Sequence, residues 1–170
     1  SIFPNKNHTV EFSEVKKYFI HDIDSYKIVF IDGKYSSFLS DTTHDLIDVC
    51  LLSSALVKPK YKSVIENYFN KVAKQDNMTA LNTAFANEGA YVYVPNNTEV
   101  DKPIQILNFA TGSESATLLQ PRNLIVVGEN SHVQIIERHQ SLSSESILTN
   151  SVTEIFAEKR ANVDYYKIQN

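Results

Sequence analysis

Several groups of side chains in this 170-residue sequence are of types that do chemistry. His132, Glu137 and His139 lie close together, and imidazole with carboxylate is a reasonable donor set for iron or zinc. In a strand running from Val133, side chains alternate between faces, so Glu137 and His139 share the face of Val133 and Ile135. His132 points the other way or sits in the preceding turn. A common metal would need a bend, and solvated surface or turn residues are the simpler expectation. Cys50 is the only thiol, and its thiolate could ligate iron, but cluster sites normally gather several thiolates. Between Val49 and Leu51, in a leucine-rich stretch read as helix, it is expected to be a small buried hydrophobe. Ser141, Ser143, Ser144 and Ser146 follow His139, yet a nucleophile needs a base oriented by a third group, which a mobile polar run does not supply. That run reads as a loop. Asp22, Asp24, Glu114 and the trio Glu158, Lys159 and Arg160 read as solvated faces and turns. No Gly-rich loop cradles a phosphate, so ATP chemistry must belong to another chain. The expectation is therefore no catalytic, cofactor-binding or metal-ligating residue.

Composition narrows the class. An apolar share of 42% is ordinary for a chain that buries a core. Sixteen Lys and Arg against twenty Asp and Glu, a formal charge of −4, is too mild and mixed for the basic footprint of a nucleic-acid binder. No apolar run approaches the ~20 residues of a spanning helix, and Ser1 to Lys6 lacks the order of a signal peptide. One unpaired cysteine fits a reducing compartment, so a cytoplasmic location is expected, with no membrane and no nucleic acid as partner. The final residues, Tyr165 to Asn170, read as a strand cut in mid-pattern, which suggests an excerpt from a longer protein.

The elements that would position these groups follow from periodicity. Phe12, Val15 and Phe19 recur at helical spacing around Ser13, a residue whose hydroxyl can cap a helix start. Tyr26 to Ile31 is a β-branched and aromatic run that meets Asp32-Gly33, a hairpin pair, with Tyr35 to Leu39 as the return. From Thr42 to Pro59 the residues Leu46, Val49, Leu52 and Leu56 predict a helix with a Thr cap. Tyr61 to Ala73 predicts a second, and Asn77 to Asn87 a third, closed by Gly89 in a left-handed conformation.

After Gly89 the period becomes two, in Tyr91 to Val94, Ile104 to Ile106, Leu124 to Val127, Val133 to Ile135 and Val163 to Tyr165. If the valines point inward, Tyr91, Tyr93 and Tyr166 point outward, as partner surface or as stacking between coils. Three polar turns end on a valine, at Val100, Val133 and Val163. A recurrence of about 30 residues is in the range of solenoids, in which each unit buries its apolar face only against its neighbours. An antiparallel sandwich is the alternative that the pattern leaves open.

The run Leu81 to Asn97 (LNTAFANEGAYVYVPNN), followed by Lys102-Pro103-Ile104-Gln105-Ile106, resembles the entry to the core of the SufB and SufD proteins of iron-sulfur cluster assembly. Pro121 to Gly128, Val152 to Ile155 and Ala161 to Asn170 are similar to successive coils of that core, in order. Ile28 to Tyr35 resembles a segment that SufD members carry before their helices, which favours SufD over SufB. The resemblance implies a mainly β fold with an α-rich N-terminal region. Residues 1–88 would form a mixed region with a short hairpin and about three helices, and residues 89–170 the first coils of a right-handed parallel β-helix. It implies partners resembling SufB and the SufC ATPase, a possible homodimer, and a family association with iron-sulfur clusters. Full members continue through more coils, where their cluster-forming side chains lie, and end in a helical domain that docks SufC, so no residue here inherits the cluster-forming role.

The expected function is a non-catalytic scaffold subunit of this machinery, acting in iron acquisition and cluster assembly. The rivals are a polysaccharide-processing β-helix enzyme and a carbohydrate-binding β module, since architecture alone does not decide function. The enzyme would need charged side chains gathered in one groove, and the charges here are scattered.

Overall fold

The computed structural model describes residues 10–20, 23–73, 76–86, 88–112 and 117–170. In chain order the elements are α1 (Phe12–Lys16), β1 (Tyr26–Ile31), β2 (Lys34–Tyr35), β3 (Asp48–Leu51), α2 (Leu52–Val57), a 3-10 turn (Pro59–Tyr61), α3 (Lys62–Tyr68) and α4 (Asn77–Phe85). They continue with β4 (Ala90–Val94), β5 (Ile104–Ala110), β6 (Thr117–Leu119), β7 (Arg122–Val127), β8 (His132–Ser141), β9 (Ile147–Thr149), β10 (Val152–Ala157) and β11 (Asn162–Gln169). No helix among the described residues is long and apolar enough to cross a membrane.

Among the described residues, every pairing of the strands β4 to β11 with one another is parallel, and these pairings fall in three sheets. One sheet has the order β11-β8-β5-β1-β2, a second β10-β7-β4-β3, and a third pairs β6 with β9. The register carries the recurrence: Tyr91 faces Leu124 and Leu124 faces Glu154, Ile104 faces Ile135, Val133 faces Val163, and Thr117 faces Ile147. Each partner is thus 30 to 33 positions away. A bridge joins Glu99 to His132 and the Val100 N–H donates to the His132 carbonyl at 3.0 Å. Val100, Val133 and Val163 therefore stand side by side, in one apolar cluster between the first two sheets.

The turns preceding those valines repeat as well. Asn97, Asn130 and Arg160 adopt positive φ of 57°, 55° and 59°, a left-handed conformation that Asn tolerates better than most residues. Asn130 Nδ2 donates to Asn97 Oδ1 at 3.0 Å, and Arg160 Nε donates to Asn130 Oδ1. Each turn thus hydrogen-bonds the next.

The N-terminal elements close the first end of the ladders and cover their outer faces. β2 pairs antiparallel with β1, and β3 with β4. Positive φ at Asp32 and Gly33 makes the expected hairpin turn, but the return strand is only Lys34–Tyr35 rather than Tyr35 to Leu39. Val15, Phe19 and Leu39 pack on Val29, Leu107 and Phe109; Leu52, Ala55 and Tyr61 pack on Tyr91, Leu124 and Val126.

Three expectations fail here. The helix predicted from Thr42 to Pro59 is only Leu52–Val57, and Val49 and Cys50 lie in β3. The exposed edge of β4 demands backbone partners, which Asp48 to Leu51 supply, and this overrides the local helical period. Leu46, expected on the buried stripe, is 62% exposed. Gly89 does not close α4 through a positive φ. Instead a Cβ there would lie 1.7 Å from the Arg122 carbonyl oxygen, so the residue is Gly because β4 and β7 converge at that point. The second helix is also shorter than predicted, ending at Tyr68.

Candidate functional site

Alternation along β8 turns Val133, Ile135, Glu137 and His139 to the same side, and all four are buried. Glu137 has no exposed surface. Its Oε1 accepts a hydrogen bond from His139 Nε2 at 2.6 Å and lies 3.4 Å from Lys167 Nζ. Its Oε2 accepts from Thr153 Oγ1 at 2.7 Å and from the Tyr165 hydroxyl at 2.6 Å. Thr153 in turn accepts from Asn123 Nδ2 at 3.0 Å, and Asn123 Oδ1 accepts the Ala90 N–H at 2.8 Å. One chain of bonds thus runs from β4 through β7 and β10 to β8 and β11.

Burial alone would raise the Glu137 pKa. The His139 hydrogen bond, the nearby charges of Lys167 and His139, and the Tyr165 hydrogen bond outweigh it and hold the carboxyl at about 2. Burial, then the Glu137 charge, pushes the Tyr165 phenol up, so it stays a donor. With both oxygens engaged, Glu137 is free neither to abstract a proton nor to bind a metal directly. Its chemical effect is on His139: a carboxylate only accepts, so Nε2 carries the proton. The pairing of Glu137 with His139 and the separation from His132 follow the expected alternation. The expectation of solvation is corrected, because both side chains lie inside the fold, where partners from two later strands enclose them.

His132 is on the outside. Nδ1 lies 2.8 Å from Glu99 Oε1 and Nε2 3.4 Å from Asp164 Oδ2, and the Glu99 hydrogen bond holds its pKa above the ordinary 6.5. Cys50 is half-buried, and burial pushes its thiol pKa up, which disfavours the thiolate. The hydroxyl of Ser141 is bonded to its own loop, donating to the Ser143 carbonyl at 2.7 Å. Arg160 lies in the expected turn; Asp22 and Glu114 lie outside the described residues. Tyr91 and Tyr93 do face away from the valines, but Tyr91 is buried beneath Tyr61, and Tyr166 is 58% exposed. Among the described residues, no three or more His, Cys, Asp and Glu side chains gather in a way that could hold a metal ion.

A second interior polar group went unread in the sequence. Arg122 and Glu154 form a buried ion pair at 2.8 Å. Glu154 also accepts the N–H groups of Asn70 at 2.9 Å and of Val72 and Ala73 at 3.1 Å. Arg122 also donates to Asn70 Oδ1, and its guanidinium stacks over Phe69. The pair fastens the segment after α3 to β7 and β10. Its only sequence signal was that Arg122 and Glu154 stand one recurrence apart.

Comparison with known proteins places these features. Residues 3–106 match the SufBD protein N-terminal region, and residues 109–170 match the SufBD core domain of SUF system FeS cluster assembly. The chain belongs to the SufBD family. The two matches meet inside β5. The chain is 25% identical over 170 residues to the iron-sulfur cluster assembly SufBD family protein slr0076 of Synechocystis, covering 95% of this chain and 38% of that one. It is 34% identical over 112 residues to a SufBD family protein of Staphylococcus saprophyticus, covering 64% of this chain and 24% of the relative. It is 29% identical over 115 residues to the iron-sulfur cluster assembly protein SufD of Bacillus subtilis, covering 65% and 26%. The chain therefore spans well under half the length of these SufBD relatives.

Proposed function

We propose that this chain is the N-terminal region and first coils of a right-handed parallel β-helix in a SufD-like subunit, and that it is a non-catalytic scaffold for iron-sulfur cluster assembly in the cytoplasm. It would act with SufB-like and SufC-like subunits and help acquire iron. The observation that carries this reading is the succession of both SufBD regions along one chain, on three parallel ladders whose strands recur every 30 to 33 residues. In this reading residues 1–88 form the mixed entry region and residues 89–170 the first coils.

A stacked ladder holds its side chains in fixed geometry and presents an extended surface to partners. The side chains support a structural role: Glu137 has both oxygens occupied, and the Cys50 thiol is held protonated by burial. The preference for SufD rests on the hairpin at Ile28 to Tyr35 and on the similarity to the Bacillus subtilis SufD protein. Co-expression of the protein with SufB-like and SufC-like subunits tests the proposal. A complex that survives size-exclusion chromatography is expected, and a protein that elutes alone at every ratio would refute it.

A further inference from the structure

The side chain of His132 joins three successive passes of the chain. Glu99 lies in the turn between β4 and β5, His132 opens β8, and Asp164 is in β11. The backbone bridge from Glu99 to His132 and the parallel pairing of β8 with β11 set the three side by side. His132 Nδ1 is 2.8 Å from Glu99 Oε1, and Nε2 is 3.4 Å from Asp164 Oδ2. From β8 itself the neutral Gln134 adds a bond, its Nε2 donating to Asp164 Oδ2 at 3.3 Å. The charged groups that face the ring are thus one carboxylate at each nitrogen.

This arrangement dictates a protonation state. An ionised carboxylate only accepts, and a neutral imidazole has a single N–H. Neutral His132 can serve one of its two carboxylates and must turn a lone pair on the other; the imidazolium donates to both. In agreement, the Glu99 bond, joined by the Asp164 bond, outweighs partial burial and holds the His132 pKa above the ordinary 6.5. Loss of the proton is unequal on the two sides. The shorter contact keeps the remaining proton on Nδ1 with Glu99, where the Val100 N–H and the His132 N–H also tie the two turns, each at 3.0 Å. Nε2 then presents its lone pair to Asp164, which is left with Gln134.

We propose that Glu99, His132 and Asp164 form a pH-sensitive clasp across three successive turns, closed while His132 is an imidazolium and released on the β11 side when that proton leaves. The sign follows from the raised value: the clasp is held below pH 6.5 and is lost as the pH rises through the pKa of the folded chain. β11 is the outermost strand of its sheet among the described residues, so the proton sets how firmly that edge is held. The clasp needs neither a metal nor a partner subunit.

The test is an NMR titration of the whole chain in dilute solution from pH 5.5 to pH 9, read at the ring nitrogens of His132 and at the backbone amides of β11. His132 should titrate above 6.5, its neutral form should keep the proton on Nδ1, and the amides near Asp164 should move with the same midpoint. Glu99→Gln and Asp164→Asn should each lower that midpoint, the first more than the second. Hydrogen-exchange protection of β11, corrected for the intrinsic rate, should fall about two- to fivefold over the titration, the size of an exposed ion pair. That fall should vanish in Asp164→Asn and in His132→Gln, with far-UV circular dichroism confirming the fold of each variant. A His132 midpoint at or below 6.5, a neutral form protonated on Nε2, or a β11 whose protection falls equally in wild type and Asp164→Asn would overturn the proposal.

Discussion

Glu137 carries a charge inside the apolar cross-section, and four contacts to its oxygens keep that charge in place. The consequence is a definite pH dependence. A carboxyl held at about 2 in the fold, against an ordinary 4.5 in the open chain, stabilises the protein by about 3.5 kcal/mol, at ~1.4 kcal/mol for each tenfold. The sign follows from the lowered value: the contribution is complete above pH 4.5 and is lost as the pH falls toward 2. Urea unfolding from pH 6 to pH 2.5 should show the wild type losing roughly 2–3 kcal/mol more than Glu137→Gln, whose amide does not titrate. Parallel pH profiles for the two proteins would refute the assignment. At this scale the alternation along β8 made the Glu137 and His139 pair legible. Their burial was not, because Thr153, Tyr165 and Lys167 lie 16 to 30 positions farther on and meet Glu137 only through the register.

Elements were legible where local pattern and tertiary demand agree. The hairpin at Asp32-Gly33 and the strands after Gly89 are such cases, since the period of two and the turn chemistry point to one structure. The stretch from Thr42 to Val57 is the opposite case. Its apolar spacing favours a helix, but β4 has an open edge, and Asp48 to Leu51 pair with it from Tyr93 to Ala90. Gly89 was misread for a related reason: it follows a helix, yet its constraint comes from Arg122, a full strand away in the ladder. The two readings of Gly89 predict different numbers. A left-handed helix-end glycine loses about 1 kcal/mol on substitution by Ala. A Cβ pressed on the β7 backbone must force β4 and β7 apart, straining the Arg122 N–H bond to the Glu88 carbonyl at 3.2 Å and the Ala90 N–H bond to Asn123. Gly89→Ala should therefore cost at least ~2 kcal/mol, in the range of overpacked cores. Thermal or urea midpoints give the answer, and a loss of 1 kcal/mol or less would restore the helix-end reading.

For the molecule as a whole, the two ends of the ladders differ. The first end is closed by antiparallel β2 and β3, while β11 and β10 are the outermost strands of the other end among the described residues. The apolar cross-section reflects this. Ile125, Val133 and Ile135 have no exposed surface, whereas Ile155, Val163 and Tyr165, which face the same cluster one strand farther on, are only partly buried. An uncovered strand edge beside an uncovered apolar layer is a template for further pairing. The 170-residue chain in isolation should therefore self-associate through Asn162 to Gln169. Its weight-average mass in sedimentation should rise with concentration. A Lys in place of Val163 or Ile155 should suppress that rise, since charge on an edge strand opposes pairing. The same substitution at Tyr35, on the closed end, should leave it unchanged. A chain that stays monomeric at millimolar concentration would mean that the last strands are sufficient to themselves, and the reading of this end as one that another strand layer must cover would be wrong.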